Sequence, residues 1–146
     1  MYGLTRALRR LWALPPGERR VVLEAAVVLP AVHAVQQALP FRRWRALLTW
    51  PHRQAPRAGA PSPEVIAHAV ERARRTMPGE YKCLPAAYAT HLLLSRYGYA
   101  SEIQVGVARD AAGKVEAHAW VEHEGRTLIG ALPDLVRFVP LPPLRL

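Results

Sequence analysis

The hydrophobic period of this chain changes once, at Gly98, and that change constrains the fold more than any other feature. Before it, Val65, Ile66, Ala69, Val70 and Ala73 recur at helical spacing, and a second apolar run extends from about Cys83 to Tyr97. After it, "SEIQVGVAR" alternates, with Ile103, Val105 and Val107 on one face, and "VEAHAWVE" alternates again. A 3.6-residue period is a helix with one buried face; a period of two is a half-buried strand. "DAAGK" and "HEG" are turns, and "RTLIG" supplies a third short strand, so the segment predicts an antiparallel meander. Two helices followed by a meander define an α+β domain.

The helix limits are written in the sequence. Ser62-Pro63-Glu64 combines a side-chain cap, a proline suited to the first helical position and an acid that complements the dipole. That helix ends near Met77-Pro78-Gly79. The next runs from about Cys83 to Tyr97 and stops at Gly98, a natural C′ residue. Pro85 is tolerated only in the first turn, which places Cys83 at or beside the N-cap.

Residues 1–52 read as short helices punctuated by Pro15-Pro16-Gly17, Pro30 and Pro40. Leu4, Leu8, Leu11 and Trp12 share one helical face, opposite Arg6, Arg9 and Arg10. The proline-rich stretch that follows has linker composition. The expected organisation is a helical segment at 1–52 for partner or surface docking, a linker at 53–62, and a catalytic-type domain at 63–146. At 146 residues the chain can bury one substantial core but hardly two. The apolar run 21–39 is about long enough to cross a bilayer, yet it holds Glu24, Pro30, His33, Gln36 and Gln37. It reads as a buried or partner-binding helix. Basic residues flank it on both sides, which leaves peripheral membrane contact open.

One cysteine excludes an internal disulfide, and no Cys/His cluster has zinc spacing, so no metal or cofactor is expected and a reducing, cytoplasmic setting is compatible. The formal net charge of +9 comes largely from arginine-rich stretches. Such charge suits nucleic acid, anionic lipid or an acidic protein, or simply a solvated helix face. No nucleic-acid fold motif accompanies it, so a dedicated DNA or RNA role is not expected.

The single thiol is the chemical question. A lone cysteine is usually a small apolar side chain. At a helix start, however, free N–H groups and the dipole stabilise a thiolate. In "EAHAWVE", Ala117, Ala119 and Val121 point to one face and Glu116, His118, Trp120 and Glu122 to the other. The small apolar face packs most naturally on the helix that begins at Cys83, which brings His118 toward that helix start, subject to register. Either residue alone is ordinary. Together they form a thiol–imidazole pair of the papain and transglutaminase kind.

"CLPAAYATHLLLSRYG" followed by "AHAWVEHEG" resembles the transglutaminase-like cysteine peptidases that mature lasso peptides. More narrowly, it resembles the stand-alone protease half of a split lasso-peptide B protein. The agreement covers about residues 62–130, and "LPFRRWRALL" (39–48) is similar to the helical N-terminal region of those proteins. The resemblance implies a transglutaminase-like, papain-like core with a helix-start cysteine on an antiparallel sheet. It also implies leader removal from a ribosomally made precursor peptide, which frees the core amine for an ATP-dependent macrolactam cyclase. A separate recognition protein presents the leader. Cys83 would be the nucleophile and His118 the general base.

The pattern departs from the family at one place. Members with a full triad carry an Asp on the strand after the histidine strand, where this chain has "RTLIG", with Gly130 near that position. Asp134 is the nearest acid beyond it, and the alternatives are a displaced triad or a Cys–His dyad with Asp134 an exposed turn residue. Glu122 lies about 13 Å from His118 along the same strand, too far to orient the ring. Glu116 is closer but shares the strand. The Cys83 N–H is the natural first oxyanion donor, with Gln104 a candidate for the second. Trp120 shares the face of His118 and either walls the cleft or simply packs. His91 lies too far along its helix to assist the thiol. The rival functions are an amine-accepting acyltransferase and a non-catalytic adaptor between maturation partners.

Overall fold

The computed structural model of the chain describes residues 2–47, 55–56 and 58–141. The helices are α1 (Tyr2–Trp12), α2 (Pro16–Ala38), α3 (Phe41–Leu47), α4 (Pro63–Thr76) and α5 (Cys83–Tyr97). The strands are β1 (Glu102–Arg109), β2 (Val115–His123), β3 (Arg126–Ile129) and β4 (Val139–Pro140), with a 3-10 turn at Leu135–Arg137. They form one antiparallel sheet in the order β3-β2-β1-β4, as the α+β reading requires.

The helix ends follow the sequence signals. The Ser62 hydroxyl accepts from the Val65 N–H at 3.2 Å, and Pro63 opens α4. Gly98 closes α5 in the left-handed region at φ 92°, with its N–H returned to Leu94 and Ser95. A Cβ at Gly98 would stand only 2.2 Å from the Ala55 carbonyl oxygen, so the expected linker runs directly over this corner. The Tyr99 hydroxyl ties it down further by donating to Pro61 O at 2.8 Å. Residues 53, 54 and 57 of the linker lie outside the described residues.

Two expectations about the N-terminal part need correction. Pro30 does not end a helix: α2 continues through it to Ala38. An internal proline costs about 3 kcal/mol by removing a backbone bond and crowding the previous turn. Leu29 and Val32 on either side of it are fully or almost fully buried, and their packing holds the helix together. Nor is the helical segment separate from the domain. Val21, Ala25, Leu29 and Val32 occupy the same core as Ile66 and Val70 of α4, Leu93 and Leu94 of α5, and Ala119 and Val121 of β2. By length and composition α2 would suit a bilayer span, but here one face of it is core. Glu24 fixes the rest. Both its oxygens accept from the Tyr97 hydroxyl at 2.9 Å, and Arg20 and Arg96 pair with it. Burial, then the Glu24 contact, holds the Tyr97 phenol above its ordinary range.

The sheet has two unequal faces. Ala119 and Val121 meet α5 and the helical core, as the alternation of β2 predicts. On the reverse face Trp120, Ala108 and Phe138 form a small second cluster, packed by Leu135. Gly106 belongs there because a Cβ would press within 2.9 Å of the Trp120 ring.

Candidate active site

Cys83 is the first residue of α5, half-buried, with Lys82 as N-cap and no side-chain cap. The helix start leaves the N–H groups of Cys83 and Leu84 without intrahelical partners, and Pro85 has none to offer. The thiol therefore stands where backbone dipoles favour negative charge.

Cys83 and His118 line one cavity of about 410 Å³. Its walls come from α4 (His68, Glu71, Arg74, Arg75), from β3 (Leu128, Ile129) and from the chain that follows. A larger groove of about 630 Å³ between α2 and α5 contains neither residue, so size does not mark the chemistry here. Among the described residues no hydrogen bond joins thiol and imidazole; the two share the cavity without touching in this way.

The imidazole is held by the backbone. His118 Nε2 lies 2.6 Å from the Gly130 carbonyl oxygen. A carbonyl only accepts, so Nε2 carries the proton and donates it, leaving Nδ1 with the lone pair. Like the orienting member of a triad, the carbonyl fixes one ring nitrogen as donor and leaves the other with the lone pair. The local backbone explains the contact. β3 ends at Ile129, opposite Val121, and Gly130 then turns at φ +83° across the edge of β2. A side chain at 130 would meet Ala119 O at 2.6 Å, so only glycine lets the carbonyl approach. His118 also packs against its own face of the sheet, with ring centroids 6.2 Å from Trp120 and 5.5 Å from Phe138.

The other expected site residues fall elsewhere. Asp134 is exposed and accepts from Arg137 Nε at 3.0 Å. Arg137 in turn binds Glu116 and the Arg109 carbonyl, so Asp134 belongs to a surface network and not to the imidazole. Gln104 sits opposite Trp120 on β1, one strand farther from the cavity, and its amide donates to Glu102 at 3.4 Å. Neither Gln104 nor Trp120 lines the cavity. Trp120 is 4% exposed and donates its indole N–H to Glu122, a packing role. His91 meets the Ser101 hydroxyl at 2.7 Å.

The α4 wall is the part sequence reading missed. Glu71 Oε1 accepts from Arg74 Nη2 at 2.6 Å and from Arg75 Nε at 3.0 Å, and Glu71 Oε2 accepts from Arg74 Nε at 2.9 Å. The Arg74 contact, more than any other, holds the Glu71 carboxyl below its ordinary range. Arg74 is correspondingly raised, chiefly by its hydrogen bond to Glu71. The signal was present in "ERARR": an acid three and four residues before two arginines on one helix face.

A helix that begins with cysteine, laid on an antiparallel sheet whose neighbouring strand offers a tautomerically fixed histidine, defines the thiol–imidazole α+β class. Within that class the family model of the transglutaminase-like superfamily matches residues 4–142, and the chain belongs to that superfamily. No curated protein and no solved structure matches it significantly.

Proposed function

We propose that this protein is a cysteine peptidase that removes the leader from a ribosomally made lasso-peptide precursor. The observation that carries the reading is the shared cavity of Cys83 and His118, with the imidazole proton held on Nε2. Cys83 attacks the scissile carbonyl as its proton passes to Nδ1 of His118. The Cys83 N–H is the donor available to the developing oxyanion. Collapse of the tetrahedral adduct breaks the C–N bond, and the imidazolium protonates the departing core amine. Water then attacks the thioester, giving the leader carboxylate and restoring the thiol. The product amine is the group a macrolactam cyclase consumes.

The partners in this reading are the precursor, a separate leader-recognition protein and an ATP-dependent cyclase, in the cytoplasm. The docking surface is the outer side of the N-terminal helices: Leu4, Leu8 and Trp12 are exposed on α1, and Leu23 and Val27 on α2. The decisive experiment incubates the full chain with precursor and recognition protein and follows leader release by mass spectrometry, beside Cys83→Ala.

A second reading has its own observation. His118 has a carbonyl and not a carboxylate behind it, which suits a non-catalytic adaptor as well as a dyad enzyme. Cleavage by the wild type that Cys83→Ala loses excludes the adaptor. An amine adduct in place of the free leader acid marks an acyltransferase.

A further inference from the structure

The Cys83 cavity has one charged wall and one apolar wall. Arg74, Arg75 and Glu71 line it from α4, and Leu128, Ile129 and Leu132 line it from β3 and the chain that follows. Glu71 is the one carboxylate among the lining residues, set against two guanidinium groups, so the charged wall keeps one net positive charge. Glu71 engages Nε and Nη2 of Arg74 and only Nε of Arg75. Among the described residues, Nη1 of Arg74 and both Nη groups of Arg75 are left over as donors. The brace also narrows the rotamer choice of both side chains, Arg74 through two bonds and Arg75 through one. Planar guanidinium donors with this freedom recognise a carboxylate.

We propose that Arg74 and Arg75, braced by Glu71, form a carboxylate-binding subsite beside Cys83 that takes an acidic side chain of the processed peptide. The subsite rests on the peptidase reading of the same cavity. It makes the cleft selective for an acid on the α4 side and for apolar side chains on the β3 side.

The single cysteine makes the test clean, because every thiol alkylation, read by peptide mass mapping, reports on Cys83. Iodoacetate and iodoacetamide both form a C–S bond and expel iodide, but only iodoacetate carries a carboxylate. Their rate ratio cancels any change in the thiolate fraction. The double variant Arg74→Gln/Arg75→Gln is expected to lower the iodoacetate-to-iodoacetamide ratio about three- to tenfold, as expected for a charge a few ångströms away in a solvated cleft. Arg75→Gln alone, on a side chain 73% exposed and safe for folding, gives a smaller fall in the same direction. A precursor whose acid nearest the cut is changed to its amide loses kcat/KM about tenfold with wild type and little with the double variant. An unchanged ratio in the double variant, with Cys83 still alkylated by both reagents, overturns the subsite and leaves the peptidase reading standing. Equal loss of kcat/KM in both proteins also overturns it. Resistance of folded Cys83 to both reagents removes the peptidase reading and the subsite together.

Discussion

The carbonyl oxygen of Gly130, the residue that follows β3, lies 2.6 Å from His118 Nε2. A backbone group thus selects the tautomer but supplies no formal charge for the imidazolium. Gly130→Ala tests its importance. At φ +83°, with a Cβ only 2.6 Å from Ala119 O, the substitution strains the turn and moves the carbonyl. It is expected to destabilise the fold by about 1–3 kcal/mol in denaturant melts and to cut leader release well beyond that loss of folded protein. Full activity in Gly130→Ala would show that the carbonyl contact is incidental.

Asp134 should matter little. Its partner is Arg137 on an exposed surface, and exposed pairs contribute little to stability. Asp134→Asn is expected to lower the cleavage rate less than tenfold, whereas His118→Ala nearly abolishes it. Comparable losses in the two folded variants would restore the displaced triad.

The α2 helix is expected to behave as core. Leu29 is completely buried, and Leu29→Ala should cost about 2–5 kcal/mol. Trp12→Ala, at a residue 67% exposed on α1, should stay within about 0.5 kcal/mol of wild type. Equal small effects on denaturant midpoints would mean that α2 does not belong to the cooperative unit. Deletion of the N-terminal helices should for the same reason expose apolar surface and yield insoluble protein.

These contrasts mark what could be read in the sequence. The limits of α4 and α5 were legible because Ser62, Pro63 and Gly98 are local signals, satisfied by bonds within a few residues. The alternation of β1 and β2 likewise separated Ala119 and Val121 from His118 and Trp120. Pro30 misled because tertiary packing of Leu29 and Val32 outweighed a local penalty. The Gly130 contact was illegible because a main-chain carbonyl has no signature in residue type. β4 was invisible too: its two residues pair with Gly106 and Val107 across a long sequence separation.

The Glu71 brace gives a pH signature. Its carboxyl is held below the ordinary value of 4.5, chiefly by the Arg74 hydrogen bond. A depressed folded value means stability that is present above the unfolded value and lost as pH falls through the folded one. The Tm difference between wild type and Glu71→Gln is therefore expected to be constant above about pH 5 and to shrink below it. A difference independent of pH from neutrality down to the acid limit of the fold would show that the brace is not electrostatic.

The central claim is that Cys83 does the chemistry. Its most direct measurement is the mass spectrum of the precursor after incubation with its recognition protein and either wild type or Cys83→Ala, with both proteins shown to be folded. Wild type is expected to give free leader acid and a core peptide with a new N-terminal amine, and Cys83→Ala to give neither. Undiminished cleavage by Cys83→Ala would contradict the account.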